Sequence, residues 1–323
     1  MFGALPHKTR QFFYFVIKVS IVIGAGYFIY DKLINNENLK FDVFWQFLIK
    51  NEVFSVKNIC FLLFLSIFNW FFEILKWKKL VGFVRKISFS EALKQSLAAL
   101  TASLITPNRI GDYAVKTAYF PKDLKKKILA LNLISHMMQM GATVIFGILG
   151  LFFFWKLYGL DLPLFRIARL LLIAIVIILF SVFSVKHKGI RLRGFSLKSL
   201  LRFVKSLPLK LSSQTLGLSI LRYLIFSFQF YLMLKFFGVD VSYERAMIVI
   251  TTMYFMSSVI PTFVLTDVLV KGTIALYLFN IVRVNDLTIL SIITLMWILN
   301  FVFPAILGSF YVLNYRTINR ENI

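Results

Sequence analysis

Several apolar runs in this chain, residues 128–155 among them, exceed the roughly 18 residues that a helix needs to cross a bilayer. Such runs leave few solutions. In lipid every backbone N–H and C=O must be paired within the protein, so only helices and closed barrels can span. The runs lack the period-two alternation of an outer-membrane barrel, which leaves helices. With 59% hydrophobic and 17% aromatic residues, the expected fold is all-α, a polytopic helical membrane protein.

The formal net charge of +23 would point to nucleic acid in a soluble chain. Here Lys and Arg collect in the loops between apolar runs, the bias that marks the cytoplasmic side, so no nucleic-acid partner is expected. The single cysteine, Cys60, lies in an apolar run, which excludes a disulfide framework and a cysteine metal site. His7, Lys8 and Arg10 precede a first span at about 11–30; no small-residue cleavage site closes it, so it reads as a helix and not a signal peptide. Further spans are expected at about 55–75, 128–155, 167–185, 214–236 and 287–313, six in all. The basic clusters Lys76 to Lys86, Lys122 to Lys127 and Lys186 to Lys210 then face the cytoplasm, as do both termini, and the cell (inner) membrane is the expected location. Within 186–210, apolar residues alternate with Lys198, Arg202 and Lys205, as in an interfacial helix lying on anionic lipid.

One segment resists this reading. "ASLITPNRIGDYAVKTAYF", Ala102 to Phe120, starts as an apolar helix and then sets Pro107, Asn108, Arg109, Gly111 and Asp112 close together. Basic residues flank it on both sides, so it enters and leaves from the cytoplasm as a re-entrant hairpin. A second segment, Ala246 to Phe279, repeats it. With Ala92 placed on Ala246, Pro107 falls on Pro261 without a gap, and after one inserted residue Asp112 and Lys116 meet Asp267 and Lys271. Each Asp–Lys pair is one helical turn apart and can neutralise itself at low dielectric. The second copy enters from outside, so the chain divides into two inverted repeats, 1–155 and 156–323, within one membrane domain. Inverted repeats with broken helices near the midplane are a common transporter architecture.

"NWFFEILKWKKL" followed by "FSEALKQSLAALTASLITPNRIGDYAVKTAYF" resembles the transmembrane, or flippase, region of the lysylphosphatidylglycerol synthetase family. That family carries a helix ending in a basic residue and Trp, then a motif of the type Pro-x-Arg-x-Gly-Glu and a basic residue. In this chain the motif reads Pro107, Arg109, Gly111, Asp112 and Lys116. Asp112 replaces the usual glutamate, and the second hairpin, "IPTFVLTDVLVKG", has glycine only at Gly272. The resemblance implies a stand-alone member, without the aminoacyl-transferring domain, that moves a charged lipid between leaflets.

The residues themselves supply the candidate binding set: Arg109, Gly111, Asp112 and Lys116 in the first hairpin, Asp267 and Lys271 in the second, and Glu73 and Arg222 deep in spans. Ionisable groups at such depth are costly unless paired or facing a cavity. For Glu73 the structural alternative is an ion pair with Lys76 or Lys79, and for Arg109 one with Asp112 or Glu73. Asn132, Ser135, His136 and Gln139 form a polar stripe that faces the bundle interior, where interhelical hydrogen bonding explains it as well as substrate contact. Gly141, Gly147 and Gly150 suggest close helix packing.

Catalytic motifs are absent. The chain has no His-Glu-x-x-His, no Gly-x-Ser-x-Gly and no phosphate-cradling glycine loop, so no cofactor, metal site or catalytic residue is expected. The leading reading is a flippase for an anionic phospholipid or lipid-linked precursor. A non-transporting accessory or scaffold protein of envelope lipid or glycan synthesis stays open, and so does a lipid-modifying enzyme. The expected partners are anionic membrane lipids, with an envelope-biosynthesis enzyme or a second copy of the chain as further candidates.

Overall fold

The structure, a computed structural model, describes residues 55–104, 106, 109–159, 202–258 and 271–315, the backbone of 191–192, 195–196, 259 and 264–270, and six single residues between 16 and 49. The described residues form nine α-helices: α1 (Val56–Gly82), α2 (Phe89–Leu104), α3 (Ile110–Ala118), α4 (Lys125–Tyr158), α5 (Leu209–Phe236), α6 (Tyr243–Val259), α7 (Val264–Ile281), α8 (Asp286–Trp297) and α9 (Phe303–Leu313). Four helical stretches are long and apolar enough to cross a membrane: α1, α4, α5 and the run Asp286–Leu313. The protein is a polytopic helical membrane protein. Those four are the spans expected at 55–75, 128–155, 214–236 and 287–313. Of the expected first span only Val16, Val19, Ile23 and Tyr27 are described, all helical, and the expected fourth span at 167–185 lies outside the described residues.

Local chemistry sets the helix ends. Ser55 caps α1, its Oγ accepting from Asn58 N at 3.4 Å, and α1 runs about two turns beyond the expected end because Lys76, Lys78 and Lys79 sit within the helix. Ser88 and Glu91 make a capping box for α2. Glu91 N donates to Ser88 Oγ at 3.1 Å while Ser88 N donates to Glu91 Oε2 at 2.7 Å, which satisfies two otherwise orphaned amides. Gly159 ends α4 in the left-handed conformation, and Asn285 caps α8 through Leu287 N at 2.8 Å.

The break between α2 and α3 falls where the sequence places it. Thr106 bridges it, donating from Oγ1 to Ala102 O at 3.0 Å and accepting from Gly111 N at 2.8 Å. A Cβ at Gly111 would collide with the Ala102 carbonyl and the Thr106 hydroxyl, so only glycine lets the two helices meet this closely. Arg109, the last residue before α3, is held at φ 56°, ψ 30°, a left-handed conformation that a branched-at-Cβ chain avoids and that any non-glycine residue adopts at a cost. At about 1.5 Å per residue, α2 (16 residues) and α3 (9 residues) are each shorter than the roughly 30 Å hydrocarbon core.

The last span is interrupted too. A π-helical segment, Ile298–Val302, joins α8 to α9. Pro304 lacks the N–H that Asn300 O would otherwise receive four residues on, and Trp70 Nε1 donates to that carbonyl instead, at 3.0 Å.

Packing crosses between the halves of the chain. The helix α1 lies against α5, α2 against α9, and α4 against α6, while α2–α3 and α6–α7 form the two broken pairs. The contacts α2–α9 and α4–α6 are each made by glycine. Gly308 of α9 meets Leu97 and Thr101, Gly150 of α4 meets Thr251, and Gly147 meets Phe255. Three apolar clusters fill the rest: Trp77, Leu80, Ala92, Phe120, Ile128 and Leu131 around α1, α2 and α4, Phe230, Met233, Ile250, Leu278 and Phe279 between α5, α6 and α7, and a small one of Leu100, Leu104 and Ala305 between α2 and α9. Within the basic segment 186–210, residues 202–205 of the expected interfacial helix are helical, and upstream Arg191↔Ser196 and Leu192↔Phe195 form a two-residue antiparallel ladder.

Candidate functional site

On α1, Asn69, Glu73 and Lys76 recur at helical spacing and are all buried. Glu73 Oε2 lies 2.7 Å from Lys76 Nζ and 2.8 Å from Arg222 Nη1 of α5. One carboxylate thus has two cationic partners, one from its own helix and one from across the bundle. Arg222 is held further by Asn69, whose Oδ1 accepts from Arg222 Nε at 2.9 Å, and its guanidinium stands 5.9 Å from the Trp70 ring.

A second ionic cluster lies between α3 and α4. Asp112 Oδ1 is 3.1 Å from Lys116 Nζ. Asp112 Oδ2 accepts from Asn132 Nδ2 at 2.6 Å and lies 2.9 Å from His136 Nε2. Lys116 Nζ also donates to Asn132 Oδ1 at 2.9 Å and stacks 4.4 Å over the Trp77 ring, and Trp77 Nε1 donates to Gln95 Oε1 at 2.8 Å. Taking a charge out of water is offset only where geometry and hydrogen bonds are this complete.

An amide relay joins the first cluster to the π segment. Asn69 Nδ2 donates to Asn300 Oδ1 at 2.9 Å, Asn300 Nδ2 to Gln229 Oε1 at 3.0 Å, and Gln229 Nε2 to Ser66 Oγ and Leu62 O, each at 3.0 Å. The direction is set at both ends. Asn300 Nδ2 also donates to the backbone carbonyl of Met296, at 3.1 Å, so its oxygen must face Asn69, whose own oxygen must then face Arg222.

Of these groups Asn69, Arg222, His136 and Asn300 line a cavity of about 460 Å³. Arg109 enters its wall from the break before α3, Arg222 from α5 and Lys271 from α7, with His136 and Gln139 from α4 and Asn300 from the π segment. Arg109 is exposed and lies 5.8 Å from the Phe301 ring. Among the expected site residues, Glu73 and Arg222 come together, Asp112 and Lys116 come together, and Arg109, Arg222 and Lys271 share the cavity wall. Glu73, Asp112 and Lys116 stand behind that wall, buried, and Gly111 lies at the break. The Asp267 side chain lies outside the described residues, as does Pro107.

A family model described as the lysylphosphatidylglycerol synthase TM region matches residues 16–308. The chain belongs to this family. No curated protein and no solved structure gives a match.

In this member of the lysylphosphatidylglycerol synthase TM region family, Asn300, Gln229, Ser66 and Trp70 join the site without being among the residues expected there. The signal was present: a lone Asn in the apolar stretch "MWILNFVFP", four residues before a proline, is a polar group that lipid will not satisfy. The α4 stripe divides its work, since Asn132 and His136 serve Asp112 while Gln139 Oε1 faces Arg222 Nη1 at 3.5 Å. Among the described residues no group of His, Cys, Asp and Glu could hold a metal ion. The cavity wall presents cations and no described carboxylate, an arrangement that can hold an anion.

Proposed function

We propose that the protein moves an anionic phospholipid, or a lipid-linked precursor of like charge, between the leaflets of the cell membrane, without acting on it as an enzyme. The observation that carries this reading is the meeting of Arg109, Arg222 and Lys271, from three separate helical elements, on one cavity wall. Arginine suits the role because its planar fork matches phosphate oxygens two at a time. The left-handed backbone at Arg109 adds support, since strain of this kind persists where a side chain is required at that position.

The division into inverted repeats, 1–155 and 156–323, is supported by the packing. In the register that sets Ala92 on Ala246, Leu97 corresponds to Thr251 and Thr101 to Phe255, and these are the positions that glycines of the opposite half touch. The pairs α2–α9 and α4–α6 exchange under that correspondence, and α1–α5 maps onto itself. In this reading the broken pairs α2–α3 and α6–α7 enter from opposite faces, both termini are cytoplasmic, and substrate passes along the Arg-lined cavity between them. The proposed partners are the lipids themselves.

Purified protein in liposomes carrying a fluorescent anionic lipid tests this, with dithionite added outside to bleach whatever has reached the outer leaflet. Bleaching beyond half of the label, faster than in protein-free vesicles, is expected, and Arg222→Gln should slow it. Wild-type protein that is folded yet indistinguishable from empty vesicles would sink the transport reading, and a copurifying synthesis enzyme would then favour the accessory role.

A further inference from the structure

We propose that His136 is a proton-binding site coupled to the cavity: it takes up a proton as an anion enters, so that lipid and proton cross together. The crossing rests on the transport reading, whereas the coupling of proton to anion rests on the geometry around the ring.

His136 stands between the buried ionic cluster and the cavity. Its Nε2 lies 2.9 Å from Asp112 Oδ2, and its side chain is 33% exposed where those of Asp112 and Lys116 are 10% and 3% exposed. It also lines the cavity, which Asp112 and Lys116 do not. Among the titratable groups of that cluster it is therefore the one that can exchange a proton with the cavity, and histidine is the side chain suited to doing so near neutral pH.

Hydrogen bonding decides which nitrogen takes the proton. Lys116 Nζ can only donate, so Asn132 turns its Oδ1 to Lys116 at 2.9 Å and its Nδ2 to Asp112 Oδ2 at 2.6 Å. Asp112 is thus ringed by donors and accepts as a carboxylate. The His136 nitrogen that faces it, Nε2, carries a hydrogen, and the neutral ring keeps its lone pair on Nδ1, where the incoming proton binds. The proton comes from solvent on one side of the membrane and returns to solvent on the other.

Charge opposes that proton while the cavity is empty. Asp112 already has Lys116 at 3.1 Å and Glu73 has Lys76 at 2.7 Å, so each carboxylate is neutralised without His136. The other titratable groups around the ring and the cavity are neutral or cationic. Tyr113 of α3 packs its ring 5.4 Å from that of His136; α5 brings Arg222 and Tyr223, α6 brings Tyr254, and Arg109 and Lys271 complete the wall. An imidazolium would add to the charge of Arg109 and Arg222 at low dielectric, where like charges repel strongly. An anion among them reverses the sign. Each then favours the binding of the other by the same factor, and a pH gradient across the membrane drives the anion toward the alkaline side.

The probe is dioctanoyl phosphatidylglycerol, a phosphodiester whose own charge stays constant over the range used. Full-length protein in detergent is titrated with it by calorimetry at about pH 5.5, at about pH 8 and between, in pairs of buffers of different ionisation enthalpy, which counts the protons taken up. Binding should be about fivefold tighter or more at the lower pH, with an uptake that peaks at about half a proton per lipid or more. His136→Gln keeps a donor for Asp112 but cannot take up the proton, and it should bind at both extremes about as the wild type does at the higher pH. In the wild type alone, heats that do not depend on the buffer, or affinities within about twofold across the range, overturn the proposal. A folded His136→Gln protein that keeps the wild-type ratio overturns it as well, and so does a probe that binds at neither pH. Transport is measured separately in liposomes. Proton-linked binding without transport defeats the transport reading alone, and transport with binding that ignores pH defeats this one.

Discussion

Arg222 Nη1 lies 2.8 Å from Glu73 Oε2, although 149 residues separate them in the chain. The pair crosses from α5 to α1 with Glu73 buried, where an unpartnered charge is poorly tolerated, and Lys76 stands by on the same carboxylate at 2.7 Å. Glu73 can therefore release Arg222 to another anion and remain neutralised.

Removing Glu73 alone leaves Lys76 and Arg222 facing each other with no counter-charge, a state that costs about 3–5 kcal/mol when a buried pair is broken from one side. Glu73→Gln should therefore lower the apparent Tm in detergent more than Lys76→Met does. Combining Glu73→Gln with Lys76→Met should recover part of the loss, and a double variant showing the simple sum of both losses would contradict the coupling.

Arg109 combines a left-handed backbone, φ 56°, with a side chain on the cavity wall. Arg109→Gly should relieve the backbone strain and raise stability by about 1 kcal/mol, while slowing lipid transport at least about tenfold. Arg109→Lys keeps the charge and loses the fork, so it should transport at an intermediate rate. Full transport by the glycine variant at normal expression would remove Arg109 from the substrate path.

The glycines offer a test of the packing between halves. A methyl at Gly308 meets the Leu97 carbonyl and Thr101, and one at Gly150 meets Thr251, so Gly308→Ala and Gly150→Ala should each destabilise by about 1–3 kcal/mol. Gly217, within α5, has nothing within 4 Å of a built Cβ. Gly217→Ala should be neutral or should stabilise by up to about 1 kcal/mol through helix propensity. Thermal unfolding of the three variants side by side checks the contrast.

Orientation can be read by cysteine labelling. Lys125 and Lys205 are exposed at the basic ends of the bundle, and Asp240 is exposed at the opposite loop after α5. In a background lacking Cys60, cysteines at Lys125 and Lys205 should react only from the cytoplasm, and cysteines at Asn36 and Asp240 only from outside. External labelling at Lys125 would mean that the α2–α3 pair crosses the membrane, and the inverted arrangement would collapse.

Sequence alone determined the medium, the fold class and the break. Apolar runs long enough to span, basic clusters between them, and Pro107 to Asp112 inside an otherwise apolar segment are local facts, and lipid leaves the backbone so little choice that local facts decide. The four described spans and the helix end at Leu104 accordingly fall where periodicity and charge place them. Which charge would meet which was another matter. Glu73 had Lys76 and Lys79 within reach on its own helix, and sequence could not say that Arg222 would take its other side. Asp112 was expected to pair with Lys116, yet Asn132 and His136 complete its shell from α4. Asn300 became the hub of the relay only because α8, α1 and α5 pack around it and Pro304 frees its carbonyl for Trp70. Pairing across a bundle depends on helix rotation and depth, set by close contacts such as Gly308 on Leu97, and these are properties of the packed assembly that no single segment carries.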